Sequence, residues 1–418
     1  MSTVVAGLSL GRMLLYSAGS VGSGAFFAFN NFVLPTILKG FGASDLLIGL
    51  LSSTRSIEGV VIQPTVGAVS DRVWTPIGRR RPFILVAVPL SAAFFVAATA
   101  ARGLLPLAIM IFLFSVFFNV AADPYAALVA DIAPLEQRGL LNGIATGVQL
   151  ISQVTFLLVL FAVTAGSGAP LWTYLAVAGL LIGGFGVTVL GVREPAERTE
   201  PIQRVPFRTY VAALASHRMA MAYLGTLFVY QFGINAILPY LVLFVVEDIH
   251  QTEQIAFALA ALILLVTAVA AVAFGKLAER VGTRPVLVLG WLLLAIGAVG
   301  GTLVTGLPDT VAVLLIAGIG NGAATAVAWP LLTALIPPDQ TGVFAGLKAA
   351  SESVAIPVSV VVAAEVFLPH LGYRGIFAML AVTIVLALLL LLRFIRVPAR
   401  PTSASPGAAD QPVTPSVV

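Results

Sequence analysis

Apolar stretches of about 20 residues recur along this chain with few polar interruptions, and that recurrence leaves little choice of fold. A run of that length crosses the roughly 30 Å hydrocarbon core of a bilayer as a helix rising 1.5 Å per residue. Inside lipid each backbone N–H and C=O must be satisfied within its own segment, so every run has to be helical. Twelve spans can be counted, near 13–38, 45–70, 82–101, 104–133, 139–165, 170–192, 217–246, 253–276, 284–305, 309–336, 341–366 and 373–397. With 59% hydrophobic and only 10% charged residues, a water-soluble globular domain is excluded. The expected fold class is an all-α membrane protein with twelve transmembrane helices in two six-helix bundles.

The 22 Lys and Arg residues set the topology. If the amino terminus is cytoplasmic, 17 lie on that side, three (Lys39, Arg102, Arg374) on the other and two (Arg55, Lys348) within spans. The positive-inside rule then places both termini in the cytoplasm of a multi-pass protein of the cell membrane. Read this way, the net charge of +4 orients the chain and implies no nucleic-acid partner. The longest loop, 193–216, separates an N-terminal bundle (1–192) from a C-terminal bundle (217–397), and the Pro-, Ser-, Ala- and Thr-rich tail (398–418) is expected to stay disordered. The first span has no small-residue cleavage site and is expected to be retained. There is no cysteine, and three scattered histidines (His217, His250, His370) have no ligand spacing, so no metal site, nucleophile–base set or resident cofactor is expected, and no enzyme.

The loops repeat at a distance of half the chain. After the second span the chain reads Gly67-Ala68-Val69-Ser70-Asp71-Arg72 and then Gly78-Arg79-Arg80-Arg81-Pro82; after the eighth it reads Gly275, Glu279, Arg280, Gly282, Arg284 and Pro285. A second pair agrees: Pro134, Glu136, Gln137, Gly139 and Gly143 recur as Pro337, Asp339, Gln340, Gly342 and Gly346. Two bundles related by duplication are the plan of a secondary transporter. Any one of these arginines can be read as a topology anchor beside head groups. The combination of Gly67, Asp71, Arg72 and the basic run reads as a gating latch, a carboxylate and arginines holding one helix end against the dipole of another.

Ionisable groups within spans are costly, about 2.5–3.5 kcal/mol at mid-bilayer on the lenient scale, and so mark pathways or pairs. Arg55 and Glu58 share a face of the second span, Lys348 and Glu352 a face of the eleventh, and Asp123 precedes Pro124 in the fourth. Counted at 1.5 Å per residue, all five lie roughly 10–22 Å in from the arginine side. Each pair can be read as neutralising itself for insertion; Asp123 has no partner on its own helix. Asn119, Gln149, Gln153, Tyr230, Gln231 and Asn321 fall at or beside the same level, with Trp329 as an apolar cover, a set suited to a sugar. Asp131, Glu136 and Glu365 lie near span ends, where charge is inexpensive.

Twelve spans and the paired motifs closely resemble the major facilitator superfamily up to residue 397. Ile62-Gln63-Pro64-Thr65-Val66-Gly67, with Asp71-Arg72 and Gly78 to Ile84, is similar to the sucrose transporters and their relatives. Asp123-Pro124-Tyr125-Ala126-Ala127-Leu128-Val129, leading to Pro134, Arg138 and Gly139, resembles the glycoside-pentoside-hexuronide cation symporters. That resemblance implies cation-coupled sugar uptake, with Asp123 at the sugar, Lys348 near the cation site and Glu58 as a coupling acid. The chain departs from the sodium-coupled pattern in having Arg55 with one Glu58, and Asn30 and Asn31 but no acid on the first span. A carboxylate beside a cation is a poor metal cage but can carry a proton, so H+ is the expected coupling ion. The expected function is proton-coupled symport of a sugar by a monomer in the lipid bilayer, with an exporter of drugs or metabolites and a non-transporting receptor or scaffold as the alternatives.

Overall fold

A computed structural model describes residues 7–53, 62, 65–67, 69–70, 73, 75–163, 170–194, 217–337 and 340–395. Twelve helices can be followed among the described residues. In the N-terminal half these are α1 (Leu10–Gly40), the start of α2 (Asp45–Ser52), α3 (Arg81–Ala100), α4 (Leu104–Ile132), α5 (Leu135–Val163) and α6 (Leu171–Gly191). The C-terminal half holds α7 (Arg218–Asn235, resuming over Leu241–Leu243), α8 (Glu253–Val281), α9 (Thr283–Leu303), α10 (Leu307–Thr333), α11 (Thr341–Val362) and α12 (Gly375–Phe394). The linker from 195 to 216 and the tail from 396 lie outside the described residues.

Local chemistry starts these helices where it should. Ser9, Ser44 and Thr252 each accept the N–H three residues on, capping α1, α2 and α8. The α8–α9 turn is made by Gly282 at φ 93°, backbone that suits glycine. Three helix tracts widen into a single π turn: α1 at Phe29–Val33, α7 at Phe244–Asp248 and α11 at Ala363–Phe367, all in the part far from the arginine motifs.

The duplication seen in the loops recurs in the packing. In the first half α1 packs on α5 and α6, and α3 on α4 and α6; in the second α7 packs on α11 and α12, and α9 on α10 and α12. These four seams of the first half reappear six helices later. Small residues set how close the helices come: a Cβ on Gly22 would lie 2.6 Å from Leu180 O, and one on Gly320 2.6 Å from Gly290 O. The outer surface is apolar, with Leu105, Leu190 and Leu303 each at least 70% exposed, a face that fits lipid and not water. Where the halves meet, α5 packs along α8.

Candidate functional site

A polar cluster sits midway along the C-terminal half. Lys348 and Glu352 are one turn apart on α11, and Lys348 Nζ stands 2.5 Å from Glu352 Oε1. Gln231 Nε2 on α7 donates to the same oxygen at 2.7 Å. Side-chain exposures of 25% and 18% make this a half-buried ion pair, tolerable because each charge has a partner and the amide adds a donor. Next to Gln231, Tyr230 donates to Asn321 Oδ1 on α10 at 2.7 Å and stacks on the buried Trp291 with ring centroids 5.6 Å apart. Trp329 of α10 is half-buried against the hydrophobic core.

The N-terminal half arranges its polar residues separately. Asn119 is buried on α4 and donates to Ser115 O of its own helix at 3.0 Å. Asp123, one turn on, is half-buried with Oδ2 shielded from solvent. The following Tyr125 stacks on Tyr16 at 4.6 Å and its hydroxyl lies 2.9 Å from Ser20 Oγ, which ties this part of α4 to α1. Gln153 is buried and Gln149 half-buried on α5. The structure thus joins Lys348, Glu352 and Gln231, and pairs Tyr230 with Asn321, while the described contacts keep Asn119, Gln149 and Gln153 apart from that cluster. Arg55, Glu58, Asp71 and Arg72 lie outside the described residues.

At the arginine end the partners are ones that sequence position does not single out. Glu194, just past α6, accepts the backbone N–H groups of Arg79 at 2.7 Å, Arg80 at 3.1 Å and Arg81 at 3.0 Å, a carboxylate on the positive end of α3. Asp131, one residue from the end of α4, has an inexpensive position by depth alone, yet it is 9% exposed and is the ion partner of both Arg79 and Arg80. Arg80 also reaches Ser70 Oγ. Gly78 has to be glycine: φ is 113°, and a Cβ would lie 2.6 Å from Glu194 Cδ. Gly67 is in open space. The C-terminal counterparts behave differently, because Glu279 and Arg280 are exposed, Arg284 is half-buried, and none of the three forms an ion pair among the described residues. Gly275 meets only Ala326 Cβ, at 4.0 Å.

The opposite end carries a clasp between halves. Lys39 of α1 donates to Tyr373 Oη at 2.8 Å, Tyr373 donates to Asp45 Oδ1 at 2.7 Å, and Lys39 Nζ stands 3.3 Å from the same Asp45 oxygen and 3.9 Å from Glu247 Oε2. Tyr240 adds a 2.8 Å bond to Asp45 O. Behind it α2 presses on α7 and α11 so closely that a Cβ on Gly49 would lie 2.2 Å from Tyr240 Oη and 2.3 Å from Val360 Cγ1. The neighbouring Asp248 takes the Arg374 N–H at 3.0 Å, and partial burial pushes its carboxyl above the usual range against that bond. The two halves are therefore joined at the far end.

Two packed helical bundles, joined at one end and holding an ion pair at midspan, define a membrane transporter. The chain belongs to the Major Facilitator Superfamily, whose profile matches residues 16–263 and 222–417. Short stretches resemble sugar carriers. Over 80 residues the chain is 38% identical to the sucrose transport protein SUT1 of Oryza sativa subsp. japonica, 19% of this chain and 14% of that protein. Over 55 residues it is 46% identical to the proton-associated sugar transporter A of Homo sapiens, 13% of this chain and 7% of that one. Among solved structures, the nucleoside transporter NupG aligns with a TM-score of 0.74 at 11% identity over 92% of this chain and 100% of its own. A D-xylose-proton symporter aligns with a TM-score of 0.67 at 17% identity over 93% and 96%. At these identities the likeness is one of fold.

Proposed function

We propose that this transporter takes up a sugar together with a proton by alternating access, with its arginine end in the cytoplasm. The observation that carries the reading is the Lys348–Glu352–Gln231 cluster, an ionisable pair bonded across α7 and α11 at the level where a substrate held between the halves would sit. The short matches to sugar carriers support a sugar as the substrate class. Gln231, Asn321 and Tyr230 at the cluster, and Asn119, Gln149 and Gln153 in the other half, are groups that bond sugar hydroxyls, and the half-buried Trp329 offers an apolar ring.

The coupling ion follows from the company the acids keep. Glu352 is bonded to Lys348, and Glu58 has Arg55 one helical turn away in the sequence. Calcium- or magnesium-like cages need several oxygens, and sodium likewise prefers an oxygen shell, whereas one carboxylate beside a cation exchanges a proton. In the proposed cycle Glu352, Glu58 or Asp123 takes a proton, sugar binds between the halves, the halves rock, and departure of sugar lets the proton leave on the other side. The far-end clasp is the gate that must part to admit sugar.

The test is transport by purified protein in proteoliposomes. Radiolabelled mono- and disaccharides, sucrose and D-xylose among them, are offered under proton and sodium gradients imposed separately in each direction. Accumulation of a sugar driven by an inward proton gradient supports the reading. Sodium-driven accumulation replaces the coupling ion, and solute movement only against the proton flux makes the protein an exporter.

A further inference from the structure

We infer that Gln231 links substrate occupancy to the charge state of Glu352, a positioning role that rests on the proton-coupled reading above. The reasoning is one of donor supply. Glu352 Oε1 receives Lys348 Nζ at 2.5 Å and Gln231 Nε2 at 2.7 Å, and each donor stabilises the ionised oxygen. Lys348 belongs to the same helix, one turn away, so rigid motion of α11 carries both together. Gln231 reaches in from α7. Among the described residues it is the donor to Glu352 that a ligand or a shift of α7 against α11 can remove.

The amide is equipped for that part. A carboxamide has two N–H donors and a carbonyl oxygen, and here one N–H is committed to Glu352 while the side-chain oxygen makes no described bond. Gln231 is half-buried, and the neighbouring Tyr230 has its hydroxyl held by Asn321. The two ends of the group also distinguish charge. An ionised carboxylate accepts only from the NH2 end; a protonated one donates to the C=O end after a half-turn of the amide. The charged or titratable groups facing Glu352 among the described residues are Lys348 on its own helix and Tyr230 on α7.

The steps balance simply. A sugar hydroxyl bonded to the uncommitted end of the Gln231 amide draws the group off Glu352, and one proton from water on the open side passes to that carboxylate while Lys348 stays an ammonium. On release of sugar the amide returns and the proton leaves to the other side. No covalent bond to the sugar forms or breaks.

The experiment compares two readouts in proteoliposomes with radiolabelled sucrose and D-xylose: sugar exchange at equal concentrations, which needs no net proton movement, and accumulation driven by an inward proton gradient. Gln231→Leu is expected to weaken exchange several-fold through lost binding, but to lower proton-driven accumulation by at least about tenfold more and to flatten its pH profile. Gln231→Asn, which keeps the amide on a shorter stem, should recover part of the pH dependence. In a Glu352→Gln background, Gln231→Leu should leave the residual pH profile unmoved, because the relay has lost its target. Exchange and accumulation falling by the same factor, with the wild-type pH profile kept, would make Gln231 a binding residue only and overturn the inference. A further change of pH profile in the Glu352→Gln background overturns it as well. If wild-type protein accumulates neither sugar under a proton gradient, the transport reading itself fails and takes the relay with it; if wild type accumulates sugar and Gln231→Leu does so equally, only the relay fails.

Discussion

The two ends of this molecule use the same chemistry to opposite effect. At the arginine end, Glu194 and Asp131 hold Arg79, Arg80 and Arg81, four of them in the N-terminal bundle and Glu194 at the start of the linker that leaves it. At the far end, Lys39 and Asp45 from the N-terminal half meet Tyr240, Glu247 and Tyr373 from the other. The first set stiffens one bundle; the second decides whether two bundles touch. Counting ion pairs does not separate these roles. Asking which pairs cross the seam does, since only crossing contacts distinguish one end state from another.

The contrast can be broken most forcefully at Gly49. Leucine there has no room beside Tyr240 and Val360, and overpacking of that kind costs about 1–3 kcal/mol, roughly a five- to 150-fold shift in population. Because the chain lacks cysteine, spin labels on Phe41→Cys and Leu371→Cys, both exposed at the far end, report the gap cleanly. In Gly49→Leu a longer label distance should become the dominant one; an unchanged distribution would show that the junction does not depend on this contact. Removing the clasp with Lys39→Ala and Asp45→Asn should act in the same direction but less strongly, because these side chains are about a third exposed and such pairs contribute about 0.2–1 kcal/mol each. A several-fold growth of the longer distance is expected.

At the arginine end the outcome should change in kind. Glu194→Gln removes the charge from three hydrogen bonds at the start of α3, a loss of about 1–3 kcal/mol, and should lower the thermal unfolding midpoint in detergent by a few degrees while leaving the far-end distance as it was. A widened far end in Glu194→Gln would mean that the two ends are coupled through the N-terminal bundle. The smallest effect is expected at Glu279→Gln, where the repeat places an acid that is exposed and has no ion partner among the described residues; neither midpoint nor distance should move.

Much of the fold was legible because a membrane span needs no knowledge of its neighbours: length and apolarity suffice when the backbone must satisfy itself. The repeat added the pairing of halves. Part of the site was legible for the same local reason, since Lys348 and Glu352 one turn apart on an apolar helix already imply an ion pair. What sequence could not supply was the other helix. Gln231 reaches Glu352 from 121 residues away, and Tyr373 meets Lys39 across 334. Depth along a span says which residues share a level, not which of them turn toward each other. Asp131 shows the matching error, because nearness to a span end made its charge seem idle while the fold had brought two arginines to it. Asp71, the acid that the motif singles out, lies outside the described residues.

The seams that α1 and α3 make in one half have their twins at α7 and α9 in the other, yet the clasp has no twin at the opposite mouth among the described residues. Two halves built on one plan would by themselves favour neither mouth, and a fastener at the far one tilts that balance. In this structure the far-end fastener is done up, so any shape open at that mouth must first undo it.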